Sequence, residues 1–140
     1  MRRDDDLQET RSGFQAAWQP QQNIQGGLSA RCVRTLRSFL TENFSRKLSV
    51  AEMAAVCGLS TSHFARAFSR TFGKSPHQYV LDLRLDHAEK LLSDGRLSIA
   101  DVAHQCGFAS QSHLTTMMKK HREITPMQAQ AAAFTFRSRA

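Results

Sequence analysis

The sequence predicts an all-α fold: two helix-turn-helix subdomains joined by a long connecting helix. Three observations carry this. The phrase "CGLSTSHF" at residues 57–64 returns as "CGFASQSHL" at 106–114, so a fold unit is repeated. Apolar residues recur at helical spacing behind Ser residues placed to cap helices. No stretch alternates apolar and polar residues long enough to make a strand.

Residues 1–27 are rich in Gln, Asp and Arg and end in "GG", the composition of a mobile leader. Its polar, net-acidic character predicts that the leader is dispensable for folding and for DNA contact. A first helix is expected from Ser29, with Val33, Leu36, Phe39, Leu40 and Phe44 as its apolar stripe. The first helix-turn-helix is expected at about residues 49–72. Ser49 and Glu52 form a capping box there, in which the hydroxyl accepts from a first-turn N–H and the carboxylate reaches back. Val50, Met53, Ala54 and Cys57 follow at i, i+3, i+4 and i+7, one buried face. Gly58 ends the helix, because it tolerates positive φ. Ser60 or Thr61 caps the next helix, on which Phe64, Phe68 and Phe72 recur every four residues.

A connecting helix is expected at about 76–93. Ser75 caps it, Pro76 fits its first position and Gly95 closes it. About 17 residues at 1.5 Å each make it roughly 26 Å long. Leu81, Leu85, Ala88 and Leu92 form its stripe, widened by Tyr79, Val80, Leu83 and Leu91. So broad an apolar arc is expected to be covered by both subdomains. The second helix-turn-helix, about 98–121, repeats the first at an offset of 49. Ser98 and Asp101 stand for Ser49 and Glu52; Ile99, Val102, Ala103 and Cys106 stand for Val50, Met53, Ala54 and Cys57. Beyond Gly107 the offset becomes 50, so the second turn holds one extra residue, and Thr125-Pro126 then matches Ser75-Pro76. Residues 131–140 are assigned to a C-terminal tail.

The formal net charge is +7, and it is uneven: residues 1–27 carry −1 and residues 28–140 carry +8. A basic body points to a polyanionic partner, most often nucleic acid. No apolar run approaches the roughly 18 residues that would span a membrane, and the N-terminus lacks the apolar stretch of a signal peptide. The expected location is the cytoplasm. Cys32, Cys57 and Cys106 cannot all pair within one chain, and their odd number favours free thiols. Cys57 and Cys106 read as small core residues. No close-spaced ligand pattern such as CxxC is present, so neither a metal nor another cofactor is expected. His63 and His113, each beside a core residue, read as packing or phosphate-contact residues rather than ligands.

A recognition helix reads only a few base pairs, and successive major grooves on one face of DNA recur about every 34 Å. Two units in one chain can therefore address two grooves as a monomer. They run in the same chain direction, so the target need not be a palindrome. In its ordered motifs the chain resembles the DNA-binding domain of the AraC/XylS family of bacterial transcription regulators, over about residues 28–130. The resemblance rests on "LSVAEMAAVCGLSTSHFARAFSRTFGKSPHQYV", on "RLDHAEKLL", and on "LSIADVAHQCGFASQSHL" followed by "ITP". It implies seven helices, no enzymatic activity, double-stranded DNA as partner and recruitment of RNA polymerase.

The resemblance places base-reading positions on Ser62, Ala65 and Arg66 in the first unit, and on Gln111, Ser112 and Thr116 in the second. Arg66 suits guanine N7 and O6, Gln111 suits adenine N6 and N7, and Ala65 offers apolar contact alone. Thr61, Arg70, Ser110, Lys119 and Lys120 are the candidate phosphate anchors. Arg84 reads as a structural ion-pair partner. The second copy departs from the family pattern at Thr116, where Arg is frequent, at Met118, where Phe is usual, and at Glu123, where Gly is usual. Ala129 and Gln130 stand where the family favours an aromatic then a basic residue. Many relatives carry a separate ligand or dimerisation domain, for which a leader of 27 residues is too short; the chain is then either a small regulator or a fragment. Two other readings are open: a Cys-dependent alkyl-transfer enzyme, and a helical protein-interaction module with weakened DNA binding.

Overall fold

The computed structural model describes residues 26–139. Among them are seven helices and no strand: α1 Ala30–Asn43, α2 Val50–Val56, α3 Thr61–Phe72, α4 Pro76–Asp94, α5 Ile99–Gln105, α6 Gln111–Arg122 and α7 Pro126–Arg139. Expectations for residues 1–25 lie outside the described residues. The residues assigned to a tail are helical through Arg139, as part of α7. The chain divides into two compact units: among the described residues, one holds 26–43 and 48–83, the other 44–47 and 84–139. Helix α4 thus gives its first half to one unit and its second half to the other.

Each of these seven helices begins on a Ser or Thr whose hydroxyl accepts the N–H three residues on. The pairs are Ser29 with Cys32, Ser49 with Glu52, Ser60 with His63, Ser75 with Gln78, Ser98 with Asp101, Ser110 with His113 and Thr125 with Gln128, all at 3.0–3.2 Å. Each such cap is worth about 1 kcal/mol, which matters for α2 and α5, only seven residues long and too short to persist alone. Of the two residues the sequence offered for α3, Ser60 is the cap and Thr61 is the first helical residue.

In the first unit Leu36, Leu40, Met53, Phe64, Phe68, Tyr79 and Leu83 form the core. Phe68 stacks against Phe64, Phe72 and Tyr79 with ring centroids 4.6–5.6 Å apart, and Phe72 meets Tyr79 at 4.8 Å. The buried stripe of α1 is Cys32, Leu36 and Leu40, so Cys32 leads it in place of Val33. The expectation of three free thiols is corrected. Cys32 and Cys57 are joined in a disulfide, their Cα atoms 5.2 Å apart, and Cys106 alone is free. The packing of α1 on the end of α2 brings the two together, a juxtaposition that 25 residues of separation do not announce. Leu28 N–H donates to the buried Thr71 hydroxyl at 2.7 Å, and Gly26 lies beside the Arg70 side chain. The chain thus adjoins α3 where the expected leader meets the folded body.

In the second unit Leu85, Ala88, Leu92, Val102, Ala103, Cys106, Phe108, Leu114 and Met118 are buried. Segment 44–47 is part of this unit and is held from two sides. Arg84 Nε and Nη2 donate to the carbonyl oxygens of Phe44 and Arg46, at 2.7 and 2.9 Å. Gly107 sits against the Ser45 backbone so closely that a Cβ there would lie 2.5 Å from the carbonyl oxygen. Arg84 is structural, as expected, but the acceptors of these two hydrogen bonds are carbonyl oxygens rather than a carboxylate. His87 packs edge-on against Phe44, with centroids 5.3 Å apart. Burial, and secondarily the charge of Lys90, pushes the His87 pKa below its ordinary value. A base held neutral in the fold but protonated when unfolded contributes stability above its unfolded pKa of about 6.5, lost as pH falls. The urea midpoint is expected to drop between pH 7.5 and pH 5.5, and His87→Gln is expected to flatten that drop.

The two recognition helices end differently. Gly73 caps α3 at φ 75°, whereas Glu123 caps α6 at φ 58°, the one non-glycine at positive φ among the described residues. An L side chain in this region costs roughly 1–2 kcal/mol, partly offset by the greater freedom of an unfolded Gly. Glu123→Gly is therefore expected to stabilise the protein by about 0.5–1 kcal/mol, raising Tm by about 3 °C in a thermal melt.

Candidate nucleic-acid interface

Helix α3 has two faces. Phe64, Ala67, Phe68 and Thr71 are buried. Opposite them Ser62, Arg66 and Arg70 follow at four-residue spacing, and all are exposed. Thr61 is also exposed, at the first turn, and Ala65 is half-buried at the edge of the row. Helix α6 repeats the arrangement at the 50-residue offset. Leu114 and Met118 are buried, while Ser112, Thr116 and Lys120 form the matching exposed row, flanked by exposed Gln111 and Lys119. The residues singled out in each unit thus fall on one solvent-facing side of its second helix. Ser110 is exposed too, but its hydroxyl is engaged as the α6 cap. Lys119 and Lys120 stand in the last turn of α6, where cations are favoured by the helix dipole.

The extra residue of the second turn has an identifiable seat. Five residues, 106–110, separate α5 from α6, against four, 57–60, between α2 and α3. Phe108 is buried where Leu59 stands in the first turn, and Ala109 is the insertion. The His113 ring accepts the Ala109 N–H through Nδ1 at 3.2 Å and packs edge-on against Phe108 at 5.4 Å. His113 is accordingly a turn-stabilising residue. Among the described residues no cluster of His, Cys, Asp and Glu is arranged to hold a metal ion.

Behind α6 the second unit lacks the aromatic pair of the first. At the positions of Phe72 and Tyr79 it has Arg122 and Ala129. Arg122 Nη1 meets Asp86 Oδ1 and Glu89 Oε2, each at 2.9 Å. Burial alone would lower the Arg122 pKa, but hydrogen bonds and charge from Asp86 and Glu89 outweigh it and hold the guanidinium above its ordinary value. An open groove of about 660 Å³ lies there, lined by Glu89, Ser93, Arg122, Ile124, Ala129 and Ala132 among others. An ion-pair cluster stands where the first unit has packed rings.

The three cysteines do not compose a nucleophilic centre. Two are bonded to each other, and burial pushes the Cys106 thiol up to about 12, far from the thiolate a nucleophile requires. Among the described residues, no helix is long and apolar enough to cross a membrane.

A family model described as a helix-turn-helix domain matches residues 53–132. The probable transcriptional regulator LumQ of Photobacterium leiognathi is 34% identical over 93 residues, covering 66% of this chain and 38% of that protein. The virulence regulon transcriptional activator VirF of Yersinia enterocolitica is 31% identical over 102 residues, covering 73% and 38%. The chain thus spans well under half the length of these relatives. Among solved structures, an AraC-type DNA-binding domain from Chromobacterium violaceum is 30% identical with a TM-score of 0.68, covering 74% of this chain and 92% of that one. The DNA-binding domain of AdpA, solved in complex with a target DNA, is 25% identical with a TM-score of 0.72, covering 80% of this chain and all of that one. With its two capped helix-turn-helix units, this chain belongs to the AraC-type family of helix-turn-helix transcription regulators.

Proposed function

We propose that the chain binds double-stranded DNA by sequence, laying α3 and α6 in neighbouring major grooves as a monomer, and so regulates transcription. The observation that carries this reading is the pair of matched exposed rows, Ser62–Arg66–Arg70 and Ser112–Thr116–Lys120, on equivalent helices of a repeated unit. Arg66 reads guanine, Gln111 reads adenine, and Ser62, Ser112, Ala65 and Thr116 complete the base contacts. Thr61, Arg70, Ser110, Lys119 and Lys120 anchor phosphates, with Ser110 donating its hydroxyl proton while it caps α6. RNA polymerase is the expected protein partner of the bound complex. The AdpA domain, of the same family, was captured on its target DNA.

The two units contribute unequally in this reading. α3 rests on packed aromatic rings and a Gly cap, whereas α6 rests on Met118, ends at Arg122 beside an open groove and has a strained Glu123 cap. Sharp base preference is expected in the groove read by α3 and shallow preference in the other. Selection of bound duplexes from a random pool supplies the test sequence. On it, Arg66→Ala is expected to cost about 1–3 kcal/mol of binding and to relax one position. Gln111→Ala is expected to cost less. An equal loss on selected and random DNA would mean that Arg66 touches only phosphate. No selected sequence at all would leave the interaction-module reading in its place.

A further inference from the structure

The Cys32–Cys57 bond lies at a point where it governs the first recognition helix. Cys57 is the C-cap of α2, and Ser60, three residues later, caps α3. The bond therefore ties α1 to the turn from which α3 starts. It also differs in access at its two ends. Cys32 is buried in the α1 stripe, but Cys57 is half-buried and followed by exposed Gly58, where a Cβ would meet nothing within 4 Å. Cys57 is thus the more accessible residue of the two. The second unit has no such pair. Its counterpart of Cys57 is the fully buried Cys106, and the residue 49 beyond Cys32 is Leu81.

Resting on the DNA-binding reading above, we propose that Cys32 and Cys57 form a thiol–disulfide switch that sets how firmly α3 is held and hence how tightly the chain binds DNA. The exchange partner is a low-molecular-weight thiol of the glutathione type. One glutathione thiolate attacks Cys57 Sγ, the S–S bond breaks, and Cys32 leaves as thiolate and takes a proton. A second glutathione thiolate attacks the glutathione sulfur of the mixed disulfide and releases Cys57, which also takes a proton. Two electrons and two protons pass to the protein, and glutathione disulfide forms; the reverse reaction closes the switch. Opening it frees the 25-residue separation that the bond closes, which weakens the small first unit through chain entropy.

The test uses the full chain, a duplex selected from a random pool, and glutathione buffers of graded ratio. Thiol state is read by mass after alkylation, and binding by fluorescence anisotropy. Affinity for the selected duplex is expected to follow the oxidised fraction of Cys32–Cys57, falling at least fivefold on reduction and returning on reoxidation. Cys57→Ser is expected to bind as the reduced chain and ignore glutathione, while Cys106→Ala responds like the parent. The reversible titration of the unmodified chain stands even where a variant fails to fold. If the bond opens yet affinity stays within twofold, the switch is overturned and the DNA-binding reading survives. If glutathione never opens the bond, it is a fixed cross-link and the switch is likewise overturned. Absence of DNA binding in both redox states sinks the functional reading and the switch with it.

Discussion

Gly107→Ala is expected to destabilise the protein by about 3 kcal/mol, whereas Gly58→Ala, at the matching residue of the first turn, costs about 1 kcal/mol. Both glycines have positive φ, 88° and 70°, so both alanines meet the same backbone penalty. The difference is the neighbour. A Cβ on Gly58 meets nothing within 4 Å, but one on Gly107 lies 2.5 Å from the Ser45 carbonyl oxygen and 2.9 Å from its carbon. Those are backbone atoms, and they cannot swing aside as a flexible side chain would. Segment 44–47 must shift as a whole, against the two hydrogen bonds from Arg84. Urea unfolding of both variants, followed by circular dichroism, measures the contrast. Equal losses would show that the close approach to Ser45 is relaxed without cost, leaving only the φ penalty.

Features set by residues a few positions apart were legible in the sequence. The Ser caps and the turn glycines all act within one helical turn, so spacing alone locates them. The solvent-facing rows on α3 and α6 were legible for the same reason, because a helix with Phe64 and Phe68 buried must turn Ser62 and Arg66 outward. What escaped depended on contacts between distant segments. Cys32 and Cys57 are 25 residues apart, and the odd cysteine count together with the missing export signal favoured free thiols. Arg84 reaches back 40 residues to a carbonyl, and nothing in a linear reading distinguishes a carbonyl from a carboxylate as its acceptor. The continuation of α7 was missed because Ala-rich residues 129–133 show no stripe. The groove beside Arg122 stood closer to view. Aligning the two copies sets Arg122 against Phe72 and Ala129 against Tyr79, two aromatic rings lost from one place.

Arg84→Ala is expected to cost about 2 kcal/mol, and the loss is expected to overlap with that of Gly107→Ala rather than add to it. The guanidinium is partly buried, which pushes its pKa below the ordinary value, yet it remains charged at neutral pH. It offers two donors in a fixed fork, Nε at 2.7 Å from the Phe44 oxygen and Nη2 at 2.9 Å from the Arg46 oxygen. Alanine leaves both carbonyls to water, and part of each bond is recovered because the Arg46 side of the pair is exposed. That recovery is why the figure is about 2 kcal/mol and not twice that. Arg84→Lys should recover little, since one ammonium on a flexible stem does not reproduce the fork. The coupling follows from the shared segment. Gly107→Ala pushes on Ser45, and Arg84 holds the residues on either side of it. Once Arg84 is removed, segment 44–47 can retreat from the new Cβ. The double variant should therefore be less damaged than the two single losses together, by about 1 kcal/mol. A double-mutant cycle in urea measures it directly. Strict additivity would mean that Arg84 and Gly107 act on the second unit through separate contacts, and that segment 44–47 is not the element they share.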